Sequence, residues 1–489
     1  MASAPDRRSE PEAGRASAGS ALCFTPAREL ARRLRARELS ARELMRATLA
    51  QIARLNPRVN AIVAKLPDDA CLALADAADA KLARGEDVGA LHGLPIAIKD
   101  MQQVAGFPCT LGSPLFAHSM PAEDSVLASR IRRAGALVIG KTNVPEFGLG
   151  SHTYNSVYGT TRNPYDLTKS AGGSSGGAGA ALASGMLAIA DGSDYGGSLR
   201  NPANWNNVVA LRPSVGLVPN APALMPTASW VVNGPMARSV DDVAWLLSVM
   251  AGPDVRDPGC RDSDATRFAA PLARDFRGVR VAWSPDLGSL PLDRRVRDVL
   301  ESQRASFETL GCVVEQAHPD FTGADECFRT IRAWSIAAQL GPLLEPHRAQ
   351  LKPAAIEEIE AGQRLSGADV ARAFAQHAQL LARVSAFFTR YEFLVCAVNQ
   401  LPPFDAELDW PKSIEGAPME SYLAWMRSAC WITATHGPAI SVPAGFTPEG
   451  LPIGVQIAAA RGRDFAVLQL AHAFEQATRV GERRAALAQ

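Results

Sequence analysis

The sequence predicts an α/β fold: one large β-sheet with helices on both faces. Three observations carry this. Short apolar runs alternate with helical patterns between residues 90 and 250. Strand-like runs return after residue 390, and no fixed-period repeat divides the chain. At 489 residues the length alone would allow about three domains, but the return of strands late in the sequence argues against cutting the chain into independent units.

Element by element, residues 1–20 are polar, lack the apolar run of a signal peptide, and read as a disordered tail. The arginine-rich stretch 28–54 resembles an organelle address in composition. Glu29, Glu38 and Glu43 interrupt it, which makes a solvated amphipathic helix the better reading. Ser40-Ala41-Arg42-Glu43 has capping-box spacing, and the helix it opens is expected to stop at Asn56-Pro57. Ile96-Ala97-Ile98 reads as a buried strand ending in a loop at Lys99-Asp100, a place where functional residues of open α/β sheets gather. Asp124-Ser125 caps a helix through Arg133, and Ala136-Leu137-Val138-Ile139 is the next strand. The Ala-rich segment 178–190 predicts a small-residue helix followed by a strand. Ser239 caps another helix, which runs up to Gly252. From about 320 to 390 the pattern is mainly helical, with an N-cap at Ser366, and suggests a lid-like insertion. Phe393-Leu394-Val395 and Ala439-Ile440-Ser441-Val442 read as strands, and 464–478 as a last helix. The expected organisation is therefore a tail, 1–20, and one domain, 21–489, carrying the helical insertion.

Composition narrows the function. Lys and Arg number 50 and Asp and Glu 50, so no general electrostatic attraction draws the chain to nucleic acid or anionic lipid. No stretch approaches the roughly 20 apolar residues of a membrane helix. Eight cysteines without C-x-x-C spacing suggest neither a zinc ribbon nor a disulfide scaffold, and reduced thiols point to the cytoplasm.

Two motifs mislead. Gly135 to Thr142 matches G-x-x-x-x-G-K-[ST], but a phosphate-binding loop needs a strand before the first glycine and a helix after the lysine. Here a helix precedes, a strand lies between the glycines, and Pro145 follows. Gly172-Gly173-Ser174-Ser175-Gly176-Gly177 satisfies G-x-S-x-G twice. That elbow requires a preceding strand, and Asp166 to Ala171 is polar and short of β-formers.

What remains is Lys99, the Gly/Ser cluster, and Gly196-Gly197 directly before Ser198. This constellation resembles the amidase signature family. The resemblance runs through Leu91 to Asp100, Gly140 to Phe147, Gly172 to Arg200, Arg212 to Gly216, Gly234 to Asp242 and Pro438 to Gln456. It implies a large mixed sheet and a serine amidase in which Ser198 is the nucleophile. Ser174, preceded by a cis peptide bond, relays the proton, and an unprotonated Lys99 is the base. A serine hydroxyl is a poor nucleophile without a base, and a lysine serves only if burial lowers its pKa from about 10.4 toward neutrality. The backbone amides of Tyr195, Gly196, Gly197 and Ser198 would form the oxyanion hole, with Ser175, Asp194 and Arg200 supporting the loop. No metal or organic cofactor is required.

The chain departs from the family pattern at Tyr195, where a threonine or aliphatic residue is usual. It departs again at Met101-Gln102-Gln103, and at Thr433 and His436. These bear on substrate choice. Gly148, Leu149, Tyr195, Trp205, Trp230 and His436 are candidate pocket residues, although plain core packing is the commoner role for each tryptophan and a packed or hydrogen-bonded one for the histidine. The expected partner is a small-molecule amide, with self-association left open. The alternatives are an ester or carbamate hydrolase on the same residues, the glutaminase subunit of a tRNA-dependent amidotransferase, and a non-catalytic binding protein with the same fold.

Overall fold

The computed structural model describes residues 21–488 apart from 226, 227 and 229; the expected tail lies outside the described residues. The chain opens with two amphipathic helices, α1 (Ala27–Arg35) and α2 (Ala41–Val59). Arg32 and Arg33 both pair with Glu29 on the solvent side, in keeping with the solvated-helix reading of this arginine-rich stretch. The Ser40 capping box is present, but α2 does not stop at Pro57. In the last turn proline removes a single intrahelical bond. The Asn56 carboxamide closes the end instead, accepting from the amides of Ala61 and Ile62.

A small sheet follows, formed by β1 (Ile62–Val63), β2 (Pro95–Lys99) and β3 (Leu137–Thr142) in the order β1-β3-β2. Ser125 caps α3 (Val126–Arg133), as its sequence predicts. Lys141 lies inside β3, and its Nζ sits 3.7 Å from Asp100 with both side chains fully buried. Burial pushes each toward its neutral form. No phosphate-binding loop exists here.

The segment expected to lack a strand does form one. Asp166–Ser170 pairs with Arg162–Asn163 in a two-stranded ribbon. Its β-formers are few, and tertiary pairing supplies the rest: Ser170 N donates to Phe404 O and Ala406 N to Thr168 O. The ribbon is no part of the central sheet, so the glycine cluster after it is not an elbow at the end of a core strand.

Beyond it, the Ala-rich segment forms the expected small-residue helix, α4 (Gly176–Ala183), which leads to the strand β4 (Ile189–Asp194). After α5 (Arg200–Trp205) come β5 (Val209–Arg212), β6 (Val232–Ala237) and the Ser239-capped α6 (Val240–Met250). Then β7 (Arg280–Trp283), β8 (Val313–Gln316), β9 (Phe393–Ala397), β10 (Ala439–Phe446) and β11 (Pro452–Ala459) complete a mixed eight-stranded sheet, ordered β8-β7-β9-β11-β10-β5-β6-β4. Side chains alternate between the faces of a strand, so strands buried along their whole length are covered on both sides. β4, β5, β6, β9 and β11 are buried throughout. Between β8 and β9 lie three helices, α7 (Ala324–His347), α8 (Pro353–Gln363) and α9 (Gly367–Phe388), the last opened by a Ser366 capping box. Helices α10 (Arg427–Ala434) and α11 (Asp464–Thr478) flank the last strands.

Candidate active site

Lys99 ends β2, and its backbone amide donates to Asp191 Oδ1 on β4 at 2.9 Å, which ties the small sheet to the large one. Its side chain is completely buried. Nζ lies 2.8 Å from Ser174 Oγ, 2.9 Å from both Ser175 Oγ and Ser193 Oγ, and 3.3 Å from Ser193 O. No carboxylate forms an ion pair with it among the described residues. Burial therefore outweighs the more distant attraction of Asp191 and Asp194, and brings the Lys99 pKa down to about 7. Near neutrality a large fraction is a free amine, whose lone pair can accept the Ser174 hydroxyl proton. Asp191 is itself pushed up to about 6 by burial.

The Gly173–Ser174 peptide is cis. Ser151 Oγ donates to Gly173 O at 2.6 Å, and Asn201 Nδ2 donates to Ser151 Oγ at 2.8 Å. Ser175 N donates to Ser198 O at 3.1 Å, joining the two serine segments directly. The close approach needs glycine at 192: a Cβ there would fall 2.7 Å from Ser175 Oγ and 2.5 Å from Leu199 Cδ2.

Ser198 is 8% exposed and its hydroxyl makes no hydrogen bond among the described residues. The loop before it is built on Asp194. Asp194 Oδ1 accepts from Gly197 N at 2.8 Å and Arg200 Nη2 at 3.0 Å, and Oδ2 accepts from Leu199 N at 3.1 Å and Arg200 Nε at 3.0 Å. Arg212 adds a second guanidinium 3.3 Å from Oδ1. Burial alone would raise this carboxyl, but Arg200 and Arg212 reverse that and hold it well below the usual carboxylate range. Arg200 reaches further, to Ala429 O at 3.1 Å, Gln456 Oε1 at 2.5 Å and Thr433 Oγ1 at 2.8 Å. One of the four amides expected to line an oxyanion hole is thus already engaged, since Gly197 donates to Asp194. Those of Gly196 and Ser198 make no such bond among the described residues.

The Amidase family model matches residues 43–468. The chain belongs to the Amidase family. It is 36% identical to an acylamidase of Rhodococcus erythropolis over 93% of this chain and 95% of that protein. It is 33% identical to a glutamyl-tRNA(Gln) amidotransferase subunit of a Cyanothece species, covering 92% and 97%. Among solved structures it is similar to a bacterial aryl acylamidase of the amidase signature enzymes, with a TM-score of 0.86 at 29% identity, covering 93% and 96%. A second neighbour is a 6-aminohexanoate cyclic dimer hydrolase bound to substrate, with a TM-score of 0.85 at 26% identity, covering 96% and 100%. This chain is an amide-hydrolysing enzyme.

The remaining candidate residues of this amidase divide into three groups. Gly148 stands against the serines, since a Cβ on it would lie 3.4 Å from Ser174 Oγ and 2.9 Å from Met101 Sδ. Leu149 is buried and packs on α7 and α8 through Ile336 and Ile359. Tyr195, Trp230 and His436 belong to one aromatic cluster: Tyr195 stacks on Trp230 at 6.4 Å and meets Phe328 edge-on at 5.6 Å, and Trp230 meets His436 at 5.0 Å. Trp205 sits apart, fully buried between Trp425 and Phe404 and donating to Leu401 O, as a core residue does.

Sequence reasoning missed Ser193, Asp191 and Arg212, and it also missed Arg332. The Arg332 guanidinium lies 5.1 Å from the Tyr195 ring centroid and bonds Tyr422 Oη at 2.7 Å and Glu358 at 3.4 Å. The helices α7 and α8 thereby reach the residue that precedes the glycine pair. A polar residue ending an apolar strand run, as Arg212 does after Val209-Ala210-Leu211, was the available clue.

Proposed function

We propose that this amidase hydrolyses small carboxylic amides through an acyl-enzyme on Ser198, with Ser174 relaying protons to and from Lys99. The observation that carries the reading is the completely buried Lys99 amine set among hydroxyls, 2.8 Å from Ser174 Oγ. In acylation Ser198 gives its proton to Ser174, which passes its own to Lys99, and the Ser198 oxygen bonds the carbonyl carbon. The resulting oxyanion faces the amides of Gly196 and Ser198, with Tyr195 N at the edge of the same turn, and one such donor typically contributes about 3 kcal/mol to the barrier. The C–N bond then breaks as the proton returns through Ser174 to the departing nitrogen. Water repeats the sequence in reverse to release the acid.

In this reading Asp194 and Arg200 hold the cradle, Ser175 and Ser193 orient the Lys99 amine, and residues 21–489 act as one domain with α7 to α9 as a lid over the cleft. Eight free cysteines suit a reducing cytoplasm. Among the described residues no helix is long and apolar enough to cross a membrane.

The test compares hydrolysis of an anilide, a primary amide, an ester and a carbamate by the wild type and by Ser198→Ala. Turnover of the amides that Ser198→Ala abolishes is the expected result; wild-type rates in the variant would overturn it. The similarity to amidotransferase subunits favours one second reading, ammonia delivery to a partner. Glutamine hydrolysis, with no turnover of simple amides, would identify it.

A further inference from the structure

One buried acid of the site takes no part in the proton relay. Asp191 stands on β4 two residues before Ser193, so their side chains share the face that meets β2. Ser193 Oγ lies 2.9 Å from the Lys99 amine, and Asp191 Oδ1 accepts from the Lys99 backbone amide at 2.9 Å. Asp191 is completely buried, yet its Oδ2 accepts no hydrogen bond and the carboxylate forms no ion pair among the described residues. A charge so placed is costly to bury, and the field of the surrounding charges is what offsets the cost.

Besides Lys99, six acidic or basic side chains of the described residues are completely buried: Asp100, Asp191 and Asp194 against Lys141, Arg200 and Arg212. Asp100, at the end of β2, faces Lys141 of β3 at 3.7 Å, and burial pushes up the Cys109 thiol beside that pair. Asp194 faces both Arg200 of α5 and Arg212 of β5, which leaves one guanidinium charge over. Lys99 and Lys141 both act on Asp191 from their own strands. While Lys99 is a free amine, Asp191 balances the remaining guanidinium. Once Lys99 takes the serine proton, the buried ensemble carries one positive charge in excess, and Asp191 is the unpaired carboxylate left to attract it.

We infer that Asp191 is a positioning residue for the base: its carboxylate, anchored on the Lys99 backbone amide, raises the affinity of the Lys99 amine for the serine proton and so fixes the pH above which the amine is free. A neutral residue at 191 removes an attraction on the ammonium, so Lys99 loses its proton at lower pH and becomes a weaker base. Burial pushes Asp191 up to about 6, which leaves it ionised at neutral pH and above.

This inference rests on Lys99 as the base, and its test separates the two. Asp191→Asn removes the charge and keeps an acceptor for Lys99 N; Asp191→Ser, smaller and also neutral, repeats the test should the asparagine variant not fold. The first readout needs no substrate. Lysine labelled with ¹³C at Cε is followed by NMR against pH in Ser198→Ala, with the Lys99 signal identified by its loss in Lys99→Ala. Adding Asp191→Asn should lower the Lys99 midpoint by about one unit; an unmoved or raised midpoint would overturn the inference. The second readout is kcat/KM against pH for 4-nitroacetanilide, with Ser198 intact. The ascending limb of Asp191→Asn should move to lower pH by the same amount, so that at pH 6 the variant keeps about half of its own plateau where the wild type keeps about a tenth, and the plateau should fall by about threefold as the base weakens. A lower plateau with both the limb and the NMR midpoint unmoved would make Asp191 merely structural and overturn the inference. A midpoint that moves under an unmoved limb would uphold the coupling of Asp191 to Lys99 and refute Lys99 as the base.

Discussion

Replacing Asp194 by asparagine should cost the enzyme both stability and rate. The carboxylate is completely buried and accepts from two backbone amides and from Arg200 through both nitrogens of its fork, with Arg212 alongside. Asparagine keeps one carbonyl oxygen, but its NH₂ must face donors, either Gly197 N with the guanidinium or Leu199 N with Arg200 Nε. Two buried guanidinium groups lose their counter-charge. Breaking a buried pair by removing one partner costs about 3–5 kcal/mol. For 489 residues, an unfolding entropy of about 2 cal/mol/K per residue amounts to roughly 1 kcal/mol/K, so the melting temperature should fall by about 3–5 °C. The Gly197 and Leu199 amides bracket Ser198, so kcat should fall by about 10²-fold or more as the cradle loses its anchor. Differential scanning calorimetry and steady-state kinetics at a temperature well below the transition separate the two effects. Asp194→Asn with wild-type melting temperature and kcat would refute the view that this carboxylate builds the loop.

Four further outcomes follow from the same geometry. In the proposed mechanism Lys99 acts in its unprotonated form, and burial sets it near 7, so kcat/KM should rise with pH to a plateau, reaching about a tenth of the plateau at pH 6 and about nine tenths at pH 8; Lys99→Ala should lower the rate at pH 7 by about 10²–10⁴-fold and abolish this limb. In Gly192→Ala the new methyl would meet Ser175 Oγ and Leu199 Cδ2, so chemical denaturation should show a loss of about 1–3 kcal/mol, together with lower activity. Tyr195→Thr removes the ring that Phe328 and Trp230 enclose, and a series of primary amides should show relative kcat/KM shifting toward larger acyl groups by about tenfold.

Much of the architecture was legible because local rules decided it. Ser40, Ser125, Ser239 and Ser366 cap helices where their spacing predicts, and the uniformly apolar run at 393–395 is a core strand. Local rules failed where distant contacts decide. Pro57 did not end its helix because the Asn56 carboxamide satisfies the amides that follow. Asp166–Ser170 became a strand because residues 404–406 pair with it. The pattern of the site follows the same division. Lys99, Ser174 and Ser198 were read together from the family resemblance, and the structure sets Lys99 Nζ 2.8 Å from Ser174 Oγ. Arg212, Thr433 and Gln456 come to Asp194 and Arg200 from β5, α10 and β11, a convergence that the sheet order creates and that no spacing along the chain encodes. Trp205 shows the converse: an aromatic residue close in sequence to Ser198 is turned by its own helix into the core.

The account stands most directly on where the acyl group attaches. The wild type is quenched in acid during turnover of a slowly deacylating anilide, digested and mapped by mass. The account predicts the acyl mass increment on Ser198, absent from Ser198→Ala and slow to accumulate in Lys99→Ala at pH 7. An increment on Ser174 or Ser175, or full labelling in Lys99→Ala at the wild-type rate, would contradict it.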